Sequence, residues 1–264
     1  MKRDTNELFY QLAALLLSVI FVHTVYVTVV RPNADAQIRR AAEQAAAGEE
    51  YVVPRSLFVV LKDFEQEACF VLAFWALAIM GYKGRAVMRE RRTLEMPLIS
   101  ATEGTRILPD DAGQLSRPLQ SLPEAQQQLL LPRVLQTALA RFQVTGSVQS
   151  ASEAVNHLCE TESDRLDSEL SMIRYITWAI PSIGFIGTVR GIGTALGQAH
   201  EAMQGNIAGV TASLGVAFNS TFTALLISMV VMLINHQLQL MQERLVLDTS
   251  AYAETRLLRF LKSK

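Results

Sequence analysis

Apolar residues fall along this chain in long runs rather than in scattered alternation. Two of the runs, Trp178 to Ala199 and Gly209 to Asn235, are joined by a loop of about ten residues. On the first, Thr177, Pro181, Gly184, Thr188, Gly191 and Ala195 recur at alternating steps of four and three. On the second, Ala217, Thr221, Ala224, Ser228, Val231 and Asn235 do the same. Such steps keep each set on one helical face. Both faces are narrow, small-sided and nearly free of branched aliphatics, and each carries a threonine near its middle. The other faces are rich in Ile, Leu, Val, Met and Phe. The pattern predicts a pair of apolar helices around which the rest of the chain is arranged.

Two further runs precede this pair. Leu8 to Val30 follows Lys2 and Arg3, but its apolar length exceeds the roughly 7–15 residues of a signal-peptide core, and no clear small-residue cleavage site follows. It is expected to stay as a first span. Leu57 to Tyr82 is interrupted by Lys62, Asp63, Glu65 and Glu67, and its clean part, Ala68 to Met80, is short of a full crossing. The charged turns before it are expected in the outer interface or against protein. With about 20 apolar residues needed per crossing, the chain is expected to be an all-α membrane protein with four transmembrane helices.

The predicted division is: 1–30, tail and first span; 31–56, an outer segment with a short Ala-rich helix; 57–82, the second span; 83–147, an inner connector and helix; 148–200, a helix continuing into the third span; 201–208, an outer loop; and 209–264, the fourth span with a helical extension. Asn33 to Ala47 has no internal Gly or Pro and predicts the short helix, ended by Gly48 and Pro54. Pro97, Pro109, Pro118, Pro123 and Pro132 make the connector irregular, with Leu129 to Phe142 as the first helical stretch after it. Ser150 and Glu153 form a capping-box pattern. Val148, Ala151, Val155, Leu158, Leu166, Leu170 and Ile173 then recur at helical spacing, with no Gly or Pro before Pro181. One uninterrupted helix is expected to run into span three. After Gly215 no Gly appears, and Leu238, Met241, Leu245, Tyr252 and Leu258 form an apolar stripe. A helix of roughly 45–50 residues, about 70 Å long, follows. Spans three and four are thus expected to extend as a long antiparallel hairpin into the cytoplasm.

Composition adds direction. The chain has 264 residues, half of them hydrophobic, and a formal net charge of -1, which gives nothing in favour of nucleic acid. Cys69 and Cys159 lie in regions of different character, and no metal-ligand spacing is present. Lys83, Arg85, Arg89, Arg91 and Arg92 follow span two and should stay inside. Lys2 and Arg3, and the tail residues Arg244, Arg256, Arg259, Lys262 and Lys264, place both termini on the same cytoplasmic side. Arg31, Arg39 and Arg40 run against this in the outer segment, accompanied by Asp35, Glu43, Glu49 and Glu50; the inner clusters are larger.

Small-residue faces in lipid serve close helix packing, and that reading stands beside a polar one. Thr188 lies 15 residues before Met203, at the centre of the outer loop, and Thr221 lies 18 after it. In antiparallel helices the two hydroxyls then sit within roughly 5 Å in depth, near mid-membrane. Two hydroxyls at one depth on faces without bulk can line a path for something polar. Spans one, three and four hold no Asp or Glu, so an ionisable group for H⁺ or Na⁺ would have to come from a second protein. Pro181 removes one helix bond and frees the carbonyl of Thr177, giving either a kink or a hinge. Arg190 points about 200° away from Thr188 and needs a partner, Glu65 or Glu67, unless it snorkels outward. His23 and Cys69 read as ordinary span residues, and His200 with Glu201 as an interfacial rim. Gly187, Gly191 and Gly193 lie inside an apolar span with no Lys after them, so they form no phosphate loop. No catalytic motif appears, and the chain is not expected to be an enzyme.

The run AIPSIGFIGTVRGIGTALG, followed by GVAFNSTFTALLISMVVMLINHQL, resembles the MotA/TolQ/ExbB proton-channel family over about Leu170 to Gln239. Gly187, Thr188, Val189, Gly191 and Ile192 match the Gly-Thr-Val and Gly-Ile of the ExbB and TolQ branches, where the threonine lines the pore. Thr221 matches the second threonine, with Ala224 where the family has Gly; a shift of one residue makes Ser220 the equivalent. Pro181 resembles the proline of Met-Pro-Ala-Leu-Gly in the MotA branch, and the four-span layout is MotA-like. Ile234 stands near where MotA-like chains have a second proline, Arg190 replaces an apolar residue, and Arg89 and Glu95 are the nearest equivalents of the rotor-contacting pair.

The resemblance implies pore-lining roles for Thr188 and Thr221 or Ser220, and packing or hinge roles for Pro181, Gly184, Gly191, Ala217 and Ala224. Beside these stands an intramembrane ion pair of Arg190, with Glu67 as one candidate partner. It implies a homopentamer in a bacterial inner membrane around a dimer of a single-span MotB-, ExbD- or TolR-like protein that supplies an aspartate. Ion flow, with no cofactor, would then drive rotation or mechanical work. The alternative is a non-conducting membrane scaffold, in which the small faces only pack helices.

Overall fold

A computed structural model describes residues 2–46, 56–99, 106–205 and 207–263. Among these, every regular element is a helix, apart from an isolated parallel bridge between Ile107 and Leu261. Four helices are long and apolar enough to cross a membrane: Glu7–Gln44, Phe64–Glu95, Val148–Gly197 and Ala208–Phe260. The chain divides into two compact units: residues 1–81 with 172–235, and residues 82–171 with 236–264.

The first helix is longer than its apolar run. Helix α1 (Lys2–Val25) passes through a π-helical turn (Tyr26–Val30) into α2 (Arg31–Ala46) without a break, where the sequence predicts a separate outer helix. Pro32 is the reason. Its ring would meet the carbonyl of Thr28 in a regular helix, and the widened turn before it, with the Arg31 N–H reaching the Tyr26 carbonyl, makes room. Gly48 and Pro54, expected to end this helix, lie outside the described residues.

Span two is built differently from the expected 57–82. Ser56 caps a short α3 (Leu57–Leu61), its Oγ accepting from the Val59 N–H. The chain bends at Lys62 and Asp63, and α4 (Phe64–Arg91) runs past Tyr82. In the first unit α4 is tied to α1: Trp75 Nε1 donates to the Gln11 carbonyl at 2.9 Å, Tyr10 Oη to the Ala78 carbonyl at 3.1 Å, and Phe21 meets Phe74 edge-on at 5.5 Å. Val22, Tyr26 and Val30 form a small core with Leu61, Phe70 and Val71.

The second unit holds short helices α5 (Ala112–Gln120) and α6 (Glu124–Gln127), then α7 (Leu130–Thr145) and α8 (Val148–Glu169). Gly146 ends α7 in the left-handed conformation, φ 62°, its N–H bonded to the Phe142 carbonyl. The cap of α8 is Ser147, whose Oγ accepts from the Ser150 N–H, and not Ser150. The expected cap is three residues late because Ser147 offers the same hydroxyl one turn earlier. The predicted stripe is the core: Ala151 and Val155 are buried among Leu130, Leu135, Leu139, Phe142 and the tail residues Val246, Ala253 and Leu257, with Val148, Leu158 and Leu166 packed alongside. Buried Glu162 takes Arg133 at 3.3 Å and Arg165 at 3.1 Å, and Glu169 takes Arg165 at 3.1 Å and Lys83 at 2.9 Å.

The expected long helix from Val148 to Gly197 is present, with one turn residue, Leu170, between its two parts, α8 and α9 (Ser171–Gly197). Helix α10 (Ala199–Met203) forms the loop, and α11 (Ala208–Arg256) follows with 49 residues. Both cysteines are free and buried, in different units.

Candidate functional site

The site lies where α9 and α11 meet in the first unit. Ile180, Gly184, Gly187, Gly191 and Ala195 of α9 are buried, as are Ala217, Ser220, Ala224, Ser228 and Val231 of α11. A Cβ on Gly184 would overlap that of Ala224, one on Gly187 would lie 2.6 Å from Ser220 Oγ, and one on Gly191 would lie 2.7 Å from Ala217 Cβ. From Gly184 to Gly191 the contacts advance seven residues along α9 while they retreat seven along α11, from Ala224 to Ala217, so the two helices run antiparallel in tight register. Side chains larger than hydrogen at these points would hold the backbones apart.

That approach brings the threonines together. Thr188 Oγ1 and Thr221 Oγ1 are in direct contact. Thr188 Oγ1 lies 3.0 Å from the Ala217 carbonyl and 3.4 Å from that of Gly184, while Thr221 Oγ1 lies 3.1 Å from the Gly184 carbonyl. Two hydroxyl protons are thus shared among carbonyls on both helices and the two oxygens themselves. Thr221 can donate to Gly184 while Thr188 donates to Thr221, or Thr188 can donate to Ala217 while Thr221 donates to Thr188. Either arrangement leaves an oxygen lone pair free at a half-buried position, where a cation or an acidic proton can be accepted.

Pro181 behaves as its chemistry requires. It leaves the Thr177 carbonyl without its helical donor, and Ser228 Oγ of α11 donates to that carbonyl at 3.2 Å. The bond supplies a partner for the freed acceptor from across the interface. Ser228→Ala is expected to lower the thermal midpoint, with a cost of about 1 kcal/mol, in the range for hydrogen bonds between membrane helices. Ser228→Thr should retain most of it. Thermal unfolding in lipid nanodiscs measures both.

Around the pair stands a polar group that the sequence pattern shows only in part. Glu65, Gln66 and Glu67 in the first turn of α4 are all buried. Of the two candidate partners for Arg190, it takes Glu65, with Nε to Oε1 at 2.7 Å and Nη2 to Oε2 at 2.8 Å. Glu67 is instead bonded to Arg31 and, at 2.7 Å, to His23 Nδ1. The reason is helical: residues two apart project about 200° apart, so Glu65 faces α9 and Glu67 faces α1. His23 is therefore not an ordinary span residue. Asp63 lies 3.9 Å from Arg190. The run Asp-Phe-Glu-Gln-Glu at the head of an apolar segment is the available signal, since so many acids there must face protein.

Removing one member of the Arg190–Glu65 pair should destabilise the fold. Glu65→Leu is expected to cost toward the lower end of the roughly 3–5 kcal/mol for stranding a buried charge, because the Arg190 side chain is 48% exposed and can reorient. The double variant with Arg190→Leu should recover part of the loss. A double-mutant thermal cycle checks this.

The MotA/TolQ/ExbB proton channel family is matched over residues 126–250. The matched stretch contains α9, α10 and both threonines, and is the family to which the motif resemblance points. No curated protein and no solved structure matches the chain. Four helices are long and apolar enough to cross a membrane, as expected of a multi-pass membrane protein, and residues 126–250 are similar to a family described as proton channels.

Proposed function

We propose, on the family of residues 126–250, that this chain is the ring subunit of an ion-driven motor or energy-transducing channel in a bacterial inner membrane, with both termini cytoplasmic. The observation that carries the proposal is the Thr188–Thr221 contact: two hydroxyls from antiparallel membrane helices at one depth. The same contact favours Thr221 over Ser220 as the second pore hydroxyl. The two threonines carry no charge, and Glu65 beside them is held by Arg190, so the titrating group is assigned to a second protein. Five copies surround a dimer of a single-span partner whose aspartate enters beside the hydroxyls. H⁺ or Na⁺ passing between them alternately neutralises and frees that carboxylate, and the ring steps around the dimer. With 49 residues, α11 is about 74 Å long at about 1.5 Å per residue, against a hydrocarbon core of about 30 Å. The excess reaches into the cytoplasm and transmits the motion.

A second reading has its own support. The close approaches at Gly184, Gly187 and Gly191 are those of a packing interface, which is all that a non-conducting scaffold needs. Native mass spectrometry of the complex extracted from native membranes separates the two. A ring of five copies with two copies of a single-span, acid-bearing protein is expected; a homo-oligomer with no such protein would favour the scaffold.

A further inference from the structure

Gln66 is fully buried, at 0% exposure, against Ser220 of α11. Its Nε2 donates to the Val60 carbonyl at 3.1 Å and to Ser220 Oγ at 3.3 Å. The Ser220 hydroxyl is already committed, donating to the Val216 carbonyl at 2.9 Å. Gln66 Oε1, in contrast, has no hydrogen-bond partner among the described residues. Exchanging the amide oxygen and nitrogen does not help, because Val60 offers only an acceptor and would then face another acceptor. A buried amide oxygen without a donor calls for a ligand, and an oxygen of this kind takes a water proton, a hydronium or a small cation.

The surroundings point the same way. Asp63 Oδ2, three residues earlier, is a second buried oxygen without a partner among the described residues. Gly187 has no side chain where Ser220 and Glu65 converge; a Cβ there would lie 2.6 Å from Ser220 Oγ and 3.1 Å from Glu65 Cγ. Ser220 precedes Thr221 and packs against Gly187, which precedes Thr188, so Gln66 and Ser220 sit at the α9–α11 seam one residue from each threonine. Glu65 is neutralised by Arg190, so it does not trap a cation there.

We propose that Gln66 and Ser220 form a solvating station for the transported cation, as hydronium or Na⁺, on the α4 side of the threonine pair. This rests on the channel reading above and adds an access leg to it within a single chain. Gln66 Oε1 and the free lone pair of Ser220 Oγ coordinate the ion or its water before it meets Thr221 and Thr188.

The test is ion uptake by membrane vesicles from the native cells, which retain any partner, followed in separate arms with an H⁺-sensitive and a Na⁺-sensitive dye. Uptake is normalised to assembled complex. Gln66→Leu, close in volume, is expected to lower uptake at least tenfold, and Gln66→Glu, which keeps an acceptor oxygen, to retain most of it. If Gln66→Leu does not assemble, Ser220→Ala decides, with a severalfold loss expected. Unchanged uptake in the assembled Gln66→Leu or, failing that, Ser220→Ala protein overturns the station. Thr188→Val with Thr221→Val is run beside them. If it abolishes uptake while the station variants do not, only the station falls; if it too changes nothing, the channel reading falls with it.

Discussion

Gly191→Leu is expected to abolish the folded, assembled protein. A Cβ at this position would lie 2.7 Å from both Ala217 Cβ and Ala217 N, and 2.8 Å from the Ser213 carbonyl oxygen. Two of those three atoms are backbone, so no rotamer change on α11 relieves the overlap. The helices would have to separate, and the Thr188–Thr221 contact would open with them. Overpacking of this kind costs about 1–3 kcal/mol for extra methylenes in a packed core; Gly191→Ala should fall in that range, and leucine beyond it. Gly193, two residues on and with nothing within 4 Å of its would-be Cβ, is the control. Gly193→Leu should leave size-exclusion profile and thermal midpoint nearly unchanged. Equal tolerance at both positions would contradict the packing described.

Replacing both threonines with valine should have the opposite signature: little effect on the fold and a large one on transport. Valine keeps the β-branched shape, and the carbonyls of Gly184 and Ala217 lie within helices, where backbone donors also reach them. The structural cost should therefore stay near the roughly 0.6 kcal/mol of an average hydrogen bond between membrane helices. Ion uptake in vesicles, in contrast, is expected to fall at least tenfold, equivalent to about 1.4 kcal/mol or more on the barrier. Single variants should lose less than half of that effect in free-energy terms, since the remaining hydroxyl still reaches a carbonyl on either helix. Serine at both positions should restore uptake. Loss of assembly in the double variant, or full uptake, would each contradict this.

Much of this is legible in the residues. The alternation of four and three along α9 and α11 names the buried faces. Counting from Met203 places Thr188 and Thr221 at one depth, and in the fold they touch. The inner stripe from Ala151 to Leu166 likewise names a core, because an apolar period of 3.6 on a charged background has few other uses. What fails depends on competition between local signals. Pro32 reads as a boundary, although a π-turn absorbs it. Ser150 reads as a cap, although Ser147 stands one turn earlier. Leu170 carries no breaker, and nothing in the sequence marks the turn there.

The polar half of the site is harder to read. Arg190 demands a partner, and the sequence offers both Glu65 and Glu67, but choosing between them needs the rotation of α4 about its axis. Glu67 is drawn to α2 by Arg31 and to α1 by His23, residues whose sequence context suggests an outer segment and an ordinary span. Gln66 gives no signal at all, since an uncharged amide among acids looks like more of the same. Its weight comes from an oxygen left without a donor, and that is visible only once the neighbours are placed.

The central claim is that the threonine pair is half of an ion path whose other half is a carboxylate on a second chain. Liposomes containing this chain alone, compared with liposomes containing it together with the proposed single-span, acid-bearing partner, test that most directly under an imposed ion gradient. The chain alone should hold the gradient, and the complex should dissipate it through a route blocked by Thr188→Val with Thr221→Val. Dissipation by the chain alone, or a complex no leakier than the chain, would contradict the claim.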